Sequence, residues 1–339
     1  MPRSRNCRFC QGAEALTAAL QLPVHCRWSW LSSGTNHLRT ASAARIGIAS
    51  AILASLCWGA ATVLSKIAVA SVSPVLLLVL QLLASVIPLW LIVIIRRIPM
   101  LSPDEFRPVA KLGLLEPGLA FLLTLIGLTD LKAGGASLIQ STESIMIVAV
   151  SAVLLGVRPT ASFIAYSCLA FVGLVLALGL TNPEDMKGNG LFGIAALIAG
   201  TATAAIYVVL SSKIAGSAHP VVFVAVQQTV SLFFALAVLP FELMLQGHGP
   251  VLPDTTQLWF IVAVSGILQY AMAFTLYIGA LANISANFAG IFLNLIPVFG
   301  LAGAYMFLGE NLSPLQLLGT AMTICEVLLI SRSEHGAKA

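Results

Sequence analysis

VLSKIAVASVSPVLLLVLQ, residues 63–81, has a near double in VLSSKIAGSAHPVVFVAVQ, residues 209–227, with Pro74 and Pro220 and Gln81 and Gln227 in step and Lys66 and Lys213 matched one residue out. Further on, SIMIVAVSAVLLG (144–156) runs parallel to PVFGLAGAYMFLG (297–309) at one constant offset. The chain therefore reads as two related halves. Of its 339 residues 59% are hydrophobic and only 9% charged, where a soluble domain carries about a quarter charged residues. The apolar residues fall in long blocks rather than alternating with polar ones. That pattern defines an all-α integral membrane protein.

About 20 apolar residues cross a bilayer as a helix. Charges and Pro/Gly turns divide the chain into ten such spans, at 46–70, 73–95, 110–128, 134–156, 160–180, 188–210, 219–240, 257–279, 284–307 and 313–331. The domain reading is a basic N-terminal tail (1–45), a first five-helix repeat (46–180), a second (188–331) and a short C-terminal tail (332–339). Lys and Arg accumulate on cytoplasmic loops. With a cytoplasmic N-terminus, the inner side holds fourteen, namely six in the tail plus Arg96, Arg97, Arg107, Lys111, Arg158, Lys213, Arg332 and Lys338; the outer side holds Lys132 and Lys187. Both termini are expected inside. A five-helix unit that repeats must re-enter from the opposite side, so the repeats are expected to be inverted. Inverted repeats around a midplane site are the build of secondary transporters. Small residues such as Gly193, Ala196 and Gly200 let such helices pack closely.

The tail has six Arg and one Glu and no stretch long enough to span. It reads as a disordered extension, a targeting segment or a stretch upstream of the true start. Cys7-x-x-Cys10 with His25-Cys26 does not match a usual zinc spacing. The six cysteines are scattered, Cys57, Cys168 and Cys325 within spans, so no disulfide framework is implied. No metal, cofactor or nucleic-acid partner is expected.

CWGAATVLSKIAVASVSPVLLLVLQ, GGASLIQSTESIMIVAVSAVLLGVRP and NFAGIFLNLIPVFGLAGAYMFLGENLS resemble signature helices of the drug/metabolite transporter superfamily, EamA type. The resemblance covers residues 46–331. Its strongest element is a fourth-helix pattern of small residues, a Pro, an aromatic-rich run and Leu-Gly-Glu, intact in the second half from Pro297 through Glu310. In the first half Ser144 replaces the Pro and Val157 the Glu, and Gln81 stands where an Arg often follows the Pro of helix 2. The resemblance implies ten helices, cytoplasmic termini, alternating access and movement of a small metabolite, in a bacterial inner membrane.

Within GGASLIQSTESIMIVAVSAVLLG (134–156), Ser137, Gln140, Ser141, Ser144, Val148 and Ser151 recur at three- and four-residue steps as one stripe. Glu143 borders it, roughly 10 Å below the outer helix end at 1.5 Å per residue. Intramembrane acids line substrate or proton pathways or plug gaps between helices, and both readings are open for Glu143. Lys66 either snorkels to the outer headgroups or pairs with Glu143, with Trp58, Thr62 and Ser65 on its face. Glu116-Pro117-Gly118 breaks helix 3, because Pro removes a backbone donor; the exposed carbonyls face a cavity, or the break is a packing kink. Asn287 and Asn294 share a face of helix 9, and Tyr270 and Tyr277 a face of helix 8. Gln81 and Gln227 complete the candidate cavity. Glu326 is expected at the interface, and Trp90 and Trp259 in aromatic belts.

An intramembrane enzyme would need paired acids, an activated Ser or His clusters at depth. The five His lie in loops, the tail or at a helix start, and no Gly-x-Ser-x-Gly occurs, so the chain is not expected to be an enzyme. A channel would be a symmetric oligomer with a pore-lining ring. The expected partners are the bilayer and a small-molecule substrate, an amino acid or derivative among the candidates, with export the expected direction. Proton coupling and uncoupled facilitation, and a monomeric or homodimeric state, are left open.

Overall fold

The computed structural model describes residues 37–69, 71–130, 139, 142–156, 161–177, 191–247, 249–308 and 313–336. In chain order the helices are α1 His37–Val69, α2 Pro74–Ile95, α3 Pro103–Gly113, α4 Ala120–Asp130, α5 Glu143–Leu155, α6 Ala161–Ala177, α7 Leu191–Ile214, α8 Pro220–Gln246, α9 Thr256–Gly266, α10 Ala273–Leu281, α11 Ala286–Leu293, α12 Leu295–Leu308 and α13 Pro314–Gly336. Two π-helical segments, π1 Leu114–Leu119 and π2 Ile267–Met272, join α3 to α4 and α9 to α10.

The interior is mainly apolar but also holds polar side chains, while large apolar side chains cover much of the outside. Gln227 and Gln228 are 0% exposed, whereas Leu245 is 90% exposed and Ile94, Ile95 and Phe260 also face outward. Only an apolar solvent makes that arrangement favourable, and the helix closes its own backbone hydrogen bonds within it. Six described spans are long and apolar enough to cross a membrane: Ala43–Val69, Pro74–Ile95, Leu191–Ile214, Pro220–Gln246, Thr256–Leu281 and Ala286–Gly303. The expected span at 110–128 is divided by π1. Those at 134–156 and 313–331 contain the shorter apolar helices Glu143–Leu155 and Pro314–Leu329.

Local sequence explains the helix starts. Pro74 and Pro220 occupy first-turn positions of α2 and α8, where a missing N–H costs nothing. Ser102 and Thr255 cap α3 and α9 by accepting from Glu105 N–H and Leu258 N–H. Both caps open an 11-residue helix, both helices end in glycine, and a 6-residue π segment follows each. The break in π1 is centred on Glu116, whose backbone is extended at φ −147° and ψ 132°.

Packing joins the halves reciprocally. The helix α1 lies against α9, π2, α10 and α12, all from the second half. Its counterpart α7 lies chiefly against α4, α5 and π1 of the first half, with smaller contacts to α3 and to α10 and α11 of its own half. The pairs α2–α8 and α6–α13 pack on one another. Gly113 and Gly266 mark the closest approaches. A Cβ on Gly113 would stand 2.5 Å from the Gln227 carbonyl oxygen, and one on Gly266 would stand 2.5 Å from that of Gln81.

Candidate transport cavity

An aromatic cluster fills the centre, contributed by five elements. Trp58 of α1 packs edge-on against Phe274 and Tyr277 of α10, each at 5.3 Å between ring centroids. Tyr270 of π2 lies 5.5 Å from Phe121 of α4 and stacks on Phe274 at 6.3 Å, and Tyr207 of α7 lies 6.1 Å from Phe274. Offset and edge-to-face rings are the favoured geometries. Tyr207 donates to Gln227 Oε1 at 3.1 Å. The hydroxyl of Tyr277 is buried without a protein partner.

Two carboxylates border this cluster. Glu116 and Glu143 are close enough to sense each other's charge, and both act on Tyr277. Glu116 also acts on Tyr207 and Tyr270. Both acids lie deep in the bundle, yet each keeps part of its surface uncovered. The break at Glu116 positions one acid. The other is the first residue of α5, after the Thr142 hydroxyl turns back to the Ile139 carbonyl at 2.6 Å.

A second polar set adjoins π2. Gln81 Nε2 donates to Ser65 Oγ at 2.9 Å and to Ser265 Oγ at 2.8 Å, and Ser65 Oγ donates to Gln269 Oε1 at 3.4 Å. Of the residues expected at the cavity, Trp58, Tyr270, Tyr277, Glu116 and Glu143 come together, and Gln227 joins them through Tyr207. Gln81 belongs to the adjoining set. Asn294 instead approaches Glu326, and Asn287 carries a buried Oδ1 without a partner. Gln140 and the Lys66 side chain lie outside the described residues, as do Lys132 and residues 1–36 of the N-terminal tail, whereas residues 37–45, expected in the tail, begin α1.

Two expectations change. Glu326 is 0% exposed rather than interfacial, because α13 turns this face toward the rest of the bundle. The Trp90 indole donates to Thr229 Oγ1 on α8 at 2.9 Å, so its polar edge is used between helices and not at headgroups. Tyr207, Phe274 and Phe121 were not anticipated. A midspan Tyr among the small residues of TATAAIYVVL was the available signal, since a buried phenol needs a partner.

Apolar helices long enough to cross a bilayer, gathered around two enclosed acids and an aromatic cluster, define the build of a polytopic membrane protein. The sequence profile of the EamA-like transporter family matches residues 45–179 and again 191–332, and the chain belongs to that family. An uncharacterized transporter of Archaeoglobus fulgidus is 23% identical over 283 residues, covering 81% of this chain and 95% of its own. A probable terminal-alkyne amino-acid exporter of Streptantibioticus cattleyicolor is 26% identical over 213 residues, 62% of this chain and 68% of its own. One crystal structure superposes with a TM-score of 0.71 at 18% identity, covering 88% of this chain and 99% of the other; this likeness concerns the fold.

Proposed function

We propose that the chain is a ten-helix secondary transporter of two inverted five-helix repeats, bounded at 46–180 and 188–331. It exports a small metabolite by alternating access, with both termini in the cytoplasm of a bacterial inner membrane. The observation that carries the reading is the reciprocal packing of the halves around enclosed Glu116 and Glu143. When α1 and α7 each pack on the opposite half, exchanging the conformations of the halves moves access from one face to the other.

The chemistry of the cavity favours an amphipathic solute with a cationic group. Two carboxylates suit an amine, and the partly exposed ring of Trp58 suits an apolar body or the amine itself through cation–π attraction. The A. fulgidus and S. cattleyicolor relatives support transport, and the second supports an amino-acid derivative. Uncoupled facilitation is the second reading. The test is proteoliposome flux of a radiolabelled panel of amino acids, amines and neutral metabolites, with and without an imposed pH gradient. Concentrative movement of an amine-bearing solute under the gradient is expected. Equilibration that ignores the gradient favours the facilitator, and no flux of any member overturns this substrate class.

A further inference from the structure

We propose that Glu326 and Asn294 form a proton-binding site at the break between α11 and α12, separate from the central cavity. Asn294 interrupts two apolar helices: its own N–H bonds back to the Ile291 carbonyl at 3.1 Å, and α12 starts at the next residue. The chain just before the break is held by Ser55 of α1, whose hydroxyl donates to the Phe292 carbonyl at 2.7 Å. The Asn294 side chain is 4% exposed, and Glu326 on α13 is fully buried. Neither Glu326 oxygen nor Asn294 Nδ2 completes a hydrogen bond of standard geometry, although the amide is the polar group that approaches the acid. Val327, next to the acid, packs with Ala51, Phe292 and Leu295 in one apolar cluster.

A carboxylate in such surroundings needs a counter-charge or a proton. Among the residues whose side chains are described, the titratable groups on these elements are Arg45 and Cys57 on α1, Cys168 on α6, Tyr305 on α12 and the exposed Cys325 beside the acid on α13. Arg45, Cys168 and Tyr305 are exposed, and Cys57 is a thiol, uncharged at neutral pH. None of these supplies a buried positive charge. A protonated carboxyl and a primary amide, by contrast, complete each other: the O–H donates to Asn294 Oδ1 while Nδ2–H donates to the second carboxyl oxygen. With the proton gone, the amide has one donor to offer a charge and its own carbonyl opposes it. The pair therefore holds a proton while the break is closed and dry. Movement of α12 relative to α13 that admits water releases it.

Infrared difference spectroscopy of the purified full-length protein in lipid tests this without a substrate. Wild type minus Glu326→Gln at neutral pH should show the carbonyl band of a protonated carboxylic acid, shifting on H/D exchange. Asn294→Ala should move that band to higher frequency, since a hydrogen bond to the carbonyl is lost. If Glu326→Gln does not fold, Glu326→Asp replaces it and should displace the band. A carboxylate band in its place at neutral pH overturns the proposal. So does a carboxylate band that responds to sodium or potassium, which would make this a cation site. A protonated band indifferent to Asn294→Ala overturns the pairing.

Discussion

Glu143 and Glu116 illustrate what a buried acid costs and what it provides. Each isolated charge at membrane depth costs roughly 2.5 kcal/mol or more on insertion scales, and these two sit near enough to repel. Such a pair persists where its ionisation is used, because a proton or substrate amine that neutralises one acid changes the energy of the other. Glu143→Gln keeps shape and hydrogen bonding while removing titration. That variant should insert, retain exchange and lose the pH dependence of flux; transport like the parent at every pH would reduce Glu143 to a structural plug. Tyr277 makes a complementary case, since its buried hydroxyl has no protein partner. Tyr277→Phe should leave detergent melting little changed, within about 1 kcal/mol, because no hydrogen bond is lost. It should weaken substrate affinity if the hydroxyl serves the solute, and direct binding titration reads this.

At the scale of elements, the interlocked glycines are the sharpest constraint. Gly113 and Gly266 touch Gln227 and Gln81 through backbone atoms, which cannot rotate aside as a side chain could. Gly113→Ala and Gly266→Ala should each destabilise the bundle by about 1–3 kcal/mol, the usual cost of overpacking, lowering the detergent melting temperature by similar amounts. A pair of silent alanines would show that α2 and α8 are free to shift. The exposed start of α3 gives a milder test. The Ser102 hydroxyl and N–H both donate to Glu105 Oε2, at 2.7 and 2.9 Å, holding its carboxyl below the usual range. The bonded carboxylate is thus present at neutral pH and fades as the pH falls through that lowered value. Ser102→Ala should move the Glu105 titration, followed by carboxyl NMR, part of the way back toward an ordinary glutamate. The repeat of Pro74 and Gln81 in Pro220 and Gln227, and the break at Glu116, were legible in the sequence because they are local. Which helix covers which was not. Spacing along α13 cannot say that Glu326 meets Asn294, nor spacing along α7 that Tyr207 reaches Gln227, since both depend on how one helix turns its faces toward another, which periodicity within a helix does not specify.

On the scale of the whole molecule, the ends of the helices bear on orientation. Ser73 Oγ and Val75 N–H, at the start of α2, donate to Glu242 near the end of α8, at 2.9 and 3.0 Å. The start of α2 and the end of α8 therefore share one face, as an up-and-down path through ten spans requires. Toward the N-terminal end of α1's apolar stretch, a Cβ on Gly47 would meet Ile284 and Asn283, so the turn after α10 lies beside α1 at that level. In the orientation proposed above, with Lys and Arg distributed fourteen to two, the Gly47 face is the cytoplasmic one. Reporter fusions at Lys132 and Gly247 should accordingly read as external, and fusions at Ser217 or in the Arg96–Lys111 loop as cytoplasmic. Lys132 and Ser217 are the discriminating pair. They fall in different halves, on opposite sides of the expected membrane, and their assignments follow only if the second five-helix unit enters in the reverse sense. A cytoplasmic reading at Lys132 or Gly247 would put an even number of crossings in a half. The repeats would then be parallel, and exchanging their conformations could no longer carry a solute from one face to the other.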